Sequence, residues 1–504
     1  MSHLSTSASA SASDSFALFE DNLSDPPRAR LLSGLREHIC LTRVEDVVVL
    51  FDKLAALQSE GCWIALAAHY ELGYVLEPKL SSLLKDRDVE APLLQAWAYE
   101  QMTPLHGTTL QQWWDAELSA LSPQEREAGL LSLTPSIEHA HYVDLVHRAL
   151  NYIREGDCYQ INLTFPMRGQ FFGDPLALFE RLREAQPVHY GALIRNNDKW
   201  ILSRSPELFV ARRNMQLECK PMKGTALRHT DAARDAEQAT ALRGSAKDCA
   251  ENLMIVDLIR NDLGRLSPAG GVQVTQLFEL ETYRTIHQLT STVLAEPVTA
   301  TLLQVLRALF PCGSITGAPK IRAMQIIREL ERNARGLYCG ALGWIAPNGD
   351  YTLNVPIRTL HTAPGGSCRM DIGSGIVADS IAGNEYAECL SKARFATAIC
   401  EEFQLIETMR FDAGDVPFAL LEGHIARLAR SAKELVFNFD EKKAREQIDR
   451  FASQLEPHTQ RVRLLLARNG DISLNAAALN EMSGIPTVNL GSYLLDPNDL
   501  RLRH

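Results

Sequence analysis

Cys312-Gly313-Ser314-Ile315-Thr316-Gly317-Ala318-Pro319-Lys320 leads straight into a helical stretch, Ile321 to Arg332. Free N–H groups at a helix start, beside the Ser and Thr hydroxyls, suit a carboxylate. An ordinary tight turn has the same composition. The stretch lacks the Gly-Lys-Ser/Thr ending of a nucleotide phosphate loop. Around it, from Gly156 to about Cys400, strands and helices interleave with Gly/Pro turns. Ile137 to Glu155 has helical spacing, with Ile137, Val143, Val146, Ala149 and Ile153 suited to one buried side. Cys158 to Phe165 alternates like a strand. Between Phe16 and Ala120 one strand signal stands out, the apolar run Gly61 to Tyr74.

At 504 residues the chain exceeds one core, so two or three domains are expected. The formal charge of −11 excludes a general nucleic-acid binder, which needs a basic face. Apolar runs such as Trp63 to Ala68 fall far short of the roughly 20 residues a membrane span needs. Ten scattered cysteines without a C-x-x-C pair read as reduced thiols and a cytoplasmic protein. The Ser/Ala-rich residues 1–15 lack the layout of a secretory signal and read as a disordered tail.

Lys223, in Pro221-Met222-Lys223-Gly224-Thr225, follows Ser203-Arg204-Ser205-Pro206-Glu207-Leu208-Phe209 by fourteen positions. Its amine is a nucleophile if desolvated or set near other cations, and an idle solvated amine otherwise. Asp248 and Glu251 share a helix face, as do Glu385 and Glu388, with Lys392 one turn later. One such acidic pair is usually a solvated surface; two, on helices rich in Ala, Cys and Leu, point to a cation site, with oxygen-only ligands favouring Mg2+. Gly373-Ser374-Gly375-Ile376-Val377 reads as a second Gly-rich turn, where backbone approaches a ligand closely. Tyr338 and Arg358 fall in apolar stretches that read as strands. A buried Arg358 needs a partner, met equally by a carboxylate substrate or by a structural acid.

Taken in order, these segments resemble the chorismate-utilising enzymes, which include anthranilate, aminodeoxychorismate, isochorismate and salicylate synthases. The resemblance runs from about Ile137 to Cys400. Gly313 to Lys320 and Val256-Asp257-Leu258-Ile259-Arg260-Asn261-Asp262-Leu263-Gly264-Arg265 carry it most specifically. Within the family, water-adding members have a lysine base where this chain has Gln160, and anthranilate synthases have Ala where it has Lys223. Lys223, with Tyr70 to Pro78, resembles the aminodeoxychorismate synthase branch. The fold implied is α+β: large antiparallel β-sheets packed as a sandwich with flanking helices. Its N-terminal part would span residues 16–125 and its chorismate-binding catalytic part residues 135–402.

The resemblance implies conversion of chorismate and ammonia to 4-amino-4-deoxychorismate, on the way to 4-aminobenzoate and folate. Lys223 would form a covalent adduct with the ring, and Glu207 would serve as general acid and base. Mg2+ would be held directly by Glu251 and Glu388, with Asp248 and Glu385 assisting. Ser314, Tyr338, Arg358, Gly373, Gly375 and Lys392 would bind the substrate's carboxylates. His287 would sit near the reacting ring or serve as a neutral structural histidine. Asp248 is shorter than the family's usual Glu and Asn252 replaces its usual His, which implies altered surroundings of the metal and not its loss. No Gly-x-Cys-x-Gly turn is present, so a separate glutamine amidotransferase subunit is the expected ammonia source. The alternatives are an anthranilate synthase large component and a catalytically silent glutaminase-binding subunit.

Residues 405–504 resemble the start of 4-amino-4-deoxychorismate lyase, a fold-type IV pyridoxal-phosphate enzyme, as a partial α+β C-terminal domain. The resemblance rests on Leu405 to Arg410, His424-Ile425-Ala426-Arg427-Leu428 and Arg461 to Leu466. It implies that Arg427 meets the cofactor phosphate; an exposed helix cation is the plain alternative. The family's Schiff-base lysine follows a stretch like Leu500 to His504, so pyridoxal phosphate is expected only with the missing half, and no lyase activity is expected from this chain.

Overall fold

The computed structural model describes residues 5–6, 15–84, 91–283, 286–400, 403–414, 416–435 and 437–479. The expectation for the tail lies mostly outside them; within them, Ser5–Thr6 pair with Ile39–Cys40. The stretch Leu500 to His504 also lies outside.

Among the described residues nineteen strands, all paired antiparallel, form one hydrogen-bonded ladder. It starts at Val272–Thr282 and Ile286–Ala295, the second of which also pairs with Met222–Leu227. From there it passes through Gln216–Lys220, Leu208–Arg213, Tyr351–Asn354 and Ala341–Ile345 to Trp63–Ala68. Leu94–His106, Arg28–Leu41 and Phe16–Asp21 carry it on to Tyr190–Asn196. It closes through Lys199–Ser205, Thr359–Ala363 and Ser367–Ile376 onto Gln160–Phe172. The N-terminal strands are thus the middle of the ladder, threaded between two halves of the later sequence.

Two large apolar cores fill the space between the folded-back sheet and its helices. One gathers Ile64, Leu66, Ile255, Val256, Leu306 and Leu353; the other gathers Tyr142, Val146, Leu163, Phe179, Leu202 and Met370. The His139–Arg154 helix buries Tyr142, Leu145, Val146, Ala149 and Leu150. The expected Val146 and Ala149 are on that face, while Val143 and Ile153 are only partly covered.

Four local expectations change. Lys223 is not in a turn but on the strand Met222–Leu227. Gly373 and Gly375 are likewise within the strand Ser367–Ile376, not a turn. The glycines are there because a Cβ on Gly373 would lie 2.5 Å from the Leu163 carbonyl oxygen of the neighbouring strand. Tyr338 lies in the turn before the strand Ala341–Ile345, and Arg358 lies between the strands Tyr351–Asn354 and Thr359–Ala363. Pro356 has no N–H to give a ladder, and Arg358 adopts a left-handed φ of 52°, so the chain breaks out of the sheet there.

Residues 405–478 form a separate three-stranded sheet, Leu405–Phe411, Gln460–Leu466 and Ile472–Ala478, backed by the helices Leu421–Glu434 and Glu441–Ala452. Its apolar core includes Leu131 and Phe172 of the larger unit. Among the described residues no helix is long and apolar enough to cross a membrane.

Candidate active site

The two ends of the ladder meet at one place. Lys223 comes from the strand paired with Ile286–Ala295 at one end; Gln160 and Gly375 come from the paired strands at the other. The Met222–Leu227 strand is irregular between Met222 and Thr225, and Gly224 has a φ of +84°. The register shift falls at Lys223. A Cβ on Gly375 would sit 3.3 Å from Lys223 Nζ and 3.2 Å from Gln160 Nε2, so the missing side chain lets both groups lie against the strand.

Glu207 stands between the strands Lys199–Ser205 and Leu208–Arg213 and is 3% exposed. Ser314 Oγ donates to its Oε1 across 2.6 Å. Burial pushes the Glu207 carboxyl up to about 7, against the Ser314 hydrogen bond and the nearby Lys223 ammonium, which pull it down. A carboxyl poised there can give and take a proton at neutral pH. Lys223 is shifted the other way. Burial lowers its pKa and Lys392 adds to that, while Glu251, Glu207 and Glu388 oppose it. A depressed amine is the form a nucleophilic lysine needs.

The acidic pairs sit on the helices Ala246–Gly264 and Ala382–Lys392. Ser245 caps the first, accepting from the Asp248 N–H at 3.2 Å, which holds Asp248 at the helix start. Gly224 packs on it: a Cβ there would meet Asp248 Cβ at 2.9 Å. Glu251 and Glu388, from different helices, both act on Lys223, and Lys247 acts on Glu251 and Glu388. Four carboxylates without nitrogen or sulfur donors fit Mg2+ in chemistry. Among the described residues, no three His, Cys, Asp or Glu side chains are gathered closely enough to hold an ion. Lysine ammonium groups stand among the carboxylates instead: Lys392 Nζ lies 2.7 Å from Glu388 Oε1 and donates to the Gly373 carbonyl at 2.9 Å.

Of the other expected residues, Tyr338 is buried and Arg358 half-buried, and the two lie close enough for charge on one to act on the other. The Arg358 guanidinium has no hydrogen-bond or ion-pair partner among the described residues, and burial lowers its pKa. His287 is buried with both ring nitrogens engaged, Nε2 with Asp235 Oδ1 at 3.1 Å and Nδ1 with Thr282 Oγ1 at 3.0 Å. Asn252 is fully buried and accepts from Ser291 Oγ at 2.6 Å, tying its helix to the sheet.

Two features escape a reading by pattern. Gln160 is fully buried, yet neither its Oε1 nor its Nε2 has a hydrogen-bond partner. A buried carboxamide without a hydrogen-bond partner costs free energy. Lys320 ends the Gly-rich stretch, and its Nζ pairs with Asp262 at 2.6 Å and donates to the Leu309 carbonyl at 2.8 Å.

Residues 29–398 match the chorismate binding enzyme family. The chain belongs to that family. Among curated members it is 41% identical over 277 residues to aminodeoxychorismate synthase component 1 of Escherichia coli (strain K12), covering 55% of this chain and 61% of that one. It is 40% identical over 313 residues to the protein of the same name from Klebsiella aerogenes, covering 62% and 64%. The match therefore spans about three fifths of these relatives' length. Anthranilate synthase component I from Streptococcus pneumoniae superposes with a TM-score of 0.60 at 27% identity, over 78% of this chain and 92% of that one. Residues 404–484 match the amino-transferase class IV family.

In that second unit Arg427 is not free. Its Nε donates to Glu407 Oε1 at 2.7 Å, its Nη2 contacts Oε2, and His424 Nδ1 lies 2.7 Å from Oε2. Glu407 is buried, and its carboxyl is held below the usual range, by Arg427 first and His424 next, despite its burial. The unit's three lysines, Lys433, Lys442 and Lys443, are all exposed on helices. Among the described residues of this unit no buried lysine stands beside Arg427, and the Arg427 guanidinium is engaged by Glu407.

Proposed function

We propose that this chain is a chorismate-aminating synthase that makes 4-amino-4-deoxychorismate, with ammonia supplied by a glutamine amidotransferase partner. The observation that carries the reading is the convergence of Lys223 and Glu207 on one site, the first with a lowered pKa and the second near 7. The Lys223 amine attacks ring carbon C2, the two ring double bonds shift, and the C4 hydroxyl leaves as water with a proton from Glu207. Ammonia then adds at C4, the double bonds shift back, and the lysine amine departs. The ionised Glu207 takes the surplus proton of the incoming ammonia. The new amino group thus lands on the carbon that lost the hydroxyl.

Arg358, without a side-chain partner among the described residues, would receive a substrate carboxylate. Tyr338, Ser314, Lys392 and the strand backbone at Gly373 and Gly375 would line the rest of the pocket. Glu251 and Glu388 would hold Mg2+ directly, with Asp248 and Glu385 assisting; the bound ion would orient and neutralise the ring carboxylate. None of the ten cysteines forms a disulfide, which supports a reducing cytoplasmic setting and a place in folate synthesis there.

Incubation of the chain with chorismate, Mg2+ and an ammonium salt, followed by chromatography and mass spectrometry, tests the reading. 4-Amino-4-deoxychorismate is the expected product. Fluorescent anthranilate would make the chain an anthranilate synthase, and no consumption of chorismate would make it a silent docking subunit.

A further inference from the structure

Lys392 lies one turn beyond Glu388 on the same helix and reaches two partners at once. Its Nζ is 2.7 Å from Glu388 Oε1 and 2.9 Å from the Gly373 carbonyl oxygen, on the strand that walls the site. Glu388 precedes Lys392 by four residues, the order in which such pairs attract best. Both side chains keep solvent contact, at 39% and 52% exposed, so the pair can open without stranding a buried charge. A carboxylate oxygen engaged by an ammonium offers a cation one fewer lone pair, and the ammonium repels a second cation beside it.

We infer that Lys392 is a latch that holds Glu388 until an anionic ligand draws it away, so that Mg2+ and a substrate carboxylate bind together far better than either binds alone. When a carboxylate enters beside Gly373, the lysine keeps its hydrogen bond to the carbonyl and turns another N–H to the newcomer. Glu388 is then released to the metal. Metal arriving alone must displace the lysine with no anion to receive it. By linkage, each ligand then tightens the other by the same factor. This inference rests on the proposed function for the identity of the carboxylate. The latch on Glu388 itself does not.

The test is calorimetric titration of the whole chain with MgCl2, first alone and then with chorismate present. Without chorismate, Lys392→Met is expected to bind Mg2+ about fivefold more tightly than the unaltered chain, and Lys392→Arg, which still pairs with Glu388, to match it. With chorismate, the unaltered chain tightens on Mg2+ and Lys392→Met gains little. Should Lys392→Met fail to fold by circular dichroism, Lys392→Gln gives the same reading. The latch is overturned if the uncharged variant binds Mg2+ alone no better than the unaltered chain, or if Lys392→Arg tightens equally. If the metal-only result holds while chorismate has no effect, the latch stands and the chorismate reading falls.

Discussion

Ser314 Oγ and Glu207 Oε1 are 2.6 Å apart, although 107 residues separate them. The bond favours the ionised carboxylate, while burial favours the neutral acid, and the balance puts Glu207 near 7. Ser314 therefore offsets part of the upward push of burial on the Glu207 carboxyl.

Removing that hydroxyl has a direction. Ser314→Ala deletes an interaction with the charged form, so the Glu207 pKa rises. Where protonation of the departing hydroxyl limits the rate, activity falls as Glu207 ionises. The falling limb of the pH–kcat/KM profile is expected near pH 7 in the unaltered chain and at higher pH in Ser314→Ala. Glu207→Gln is expected to lose on the order of a hundredfold to ten-thousandfold in kcat and the limb with it.

Glu207 also leaves a mark on stability. Its folded pKa lies above the ordinary 4.5, so the folded chain holds the proton more tightly than the unfolded one. Stability is then lost as pH rises from about 4.5 to about 7 and changes no further on this account above that. Glu207→Gln removes that slope. The difference in Tm between variant and unaltered chain is expected to move in favour of the variant between pH 5 and pH 8. An unchanged difference would show that ionised Glu207 is fully compensated by Lys223.

Lys223→Ala should abolish formation of a covalent species whose mass is that of the chain plus chorismate minus water. In the unaltered chain, quenched with chorismate and Mg2+ but no ammonia, that species is expected on the peptide containing Lys223. Intact-protein and peptide mass spectrometry read both outcomes.

Gln160 buries two polar atoms that have no hydrogen-bond partner among the described residues. Gln160→Leu keeps the volume and removes the desolvation cost, so the free chain is expected to gain about 1–3 kcal/mol of stability while losing turnover. Denaturant unfolding and ammonia-dependent product formation check the two halves. A fall in both would make the carboxamide structural.

Gly224→Ala places a methyl 2.9 Å from Asp248 Cβ at a φ of +84°. The strain, about 1–3 kcal/mol, falls where the lysine strand meets the helix Ala246–Gly264. Stability should drop by that order and Mg2+ affinity with it, read by thermal melts and calorimetry.

Much of this molecule is legible residue by residue. The Asp248/Glu251 and Glu385/Glu388 pairs and the lysine at 223 depend on helical spacing and short motifs, which the chain carries in its order, and the α+β class followed from the family resemblance those motifs carry. The strands Arg28–Leu41 and Leu94–His106 were not legible, because long irregular strands in the middle of a sheet have no clean alternation to read. Nor was the strand setting of Lys223, Gly373 and Gly375, since glycine signals a turn unless a neighbouring backbone is known to press against it.

Local order alone thus determined which chemical groups this protein has and how they are spaced on each element. Only the tertiary structure decided that Glu207 is buried against Ser314, that Lys392 holds Glu388, that Arg427 is tied to Glu407, and that Gln160 is left without a partner. The reason is physical. Burial and charge proximity are properties of the space where the two ends of a long ladder meet, and no window of sequence contains both ends.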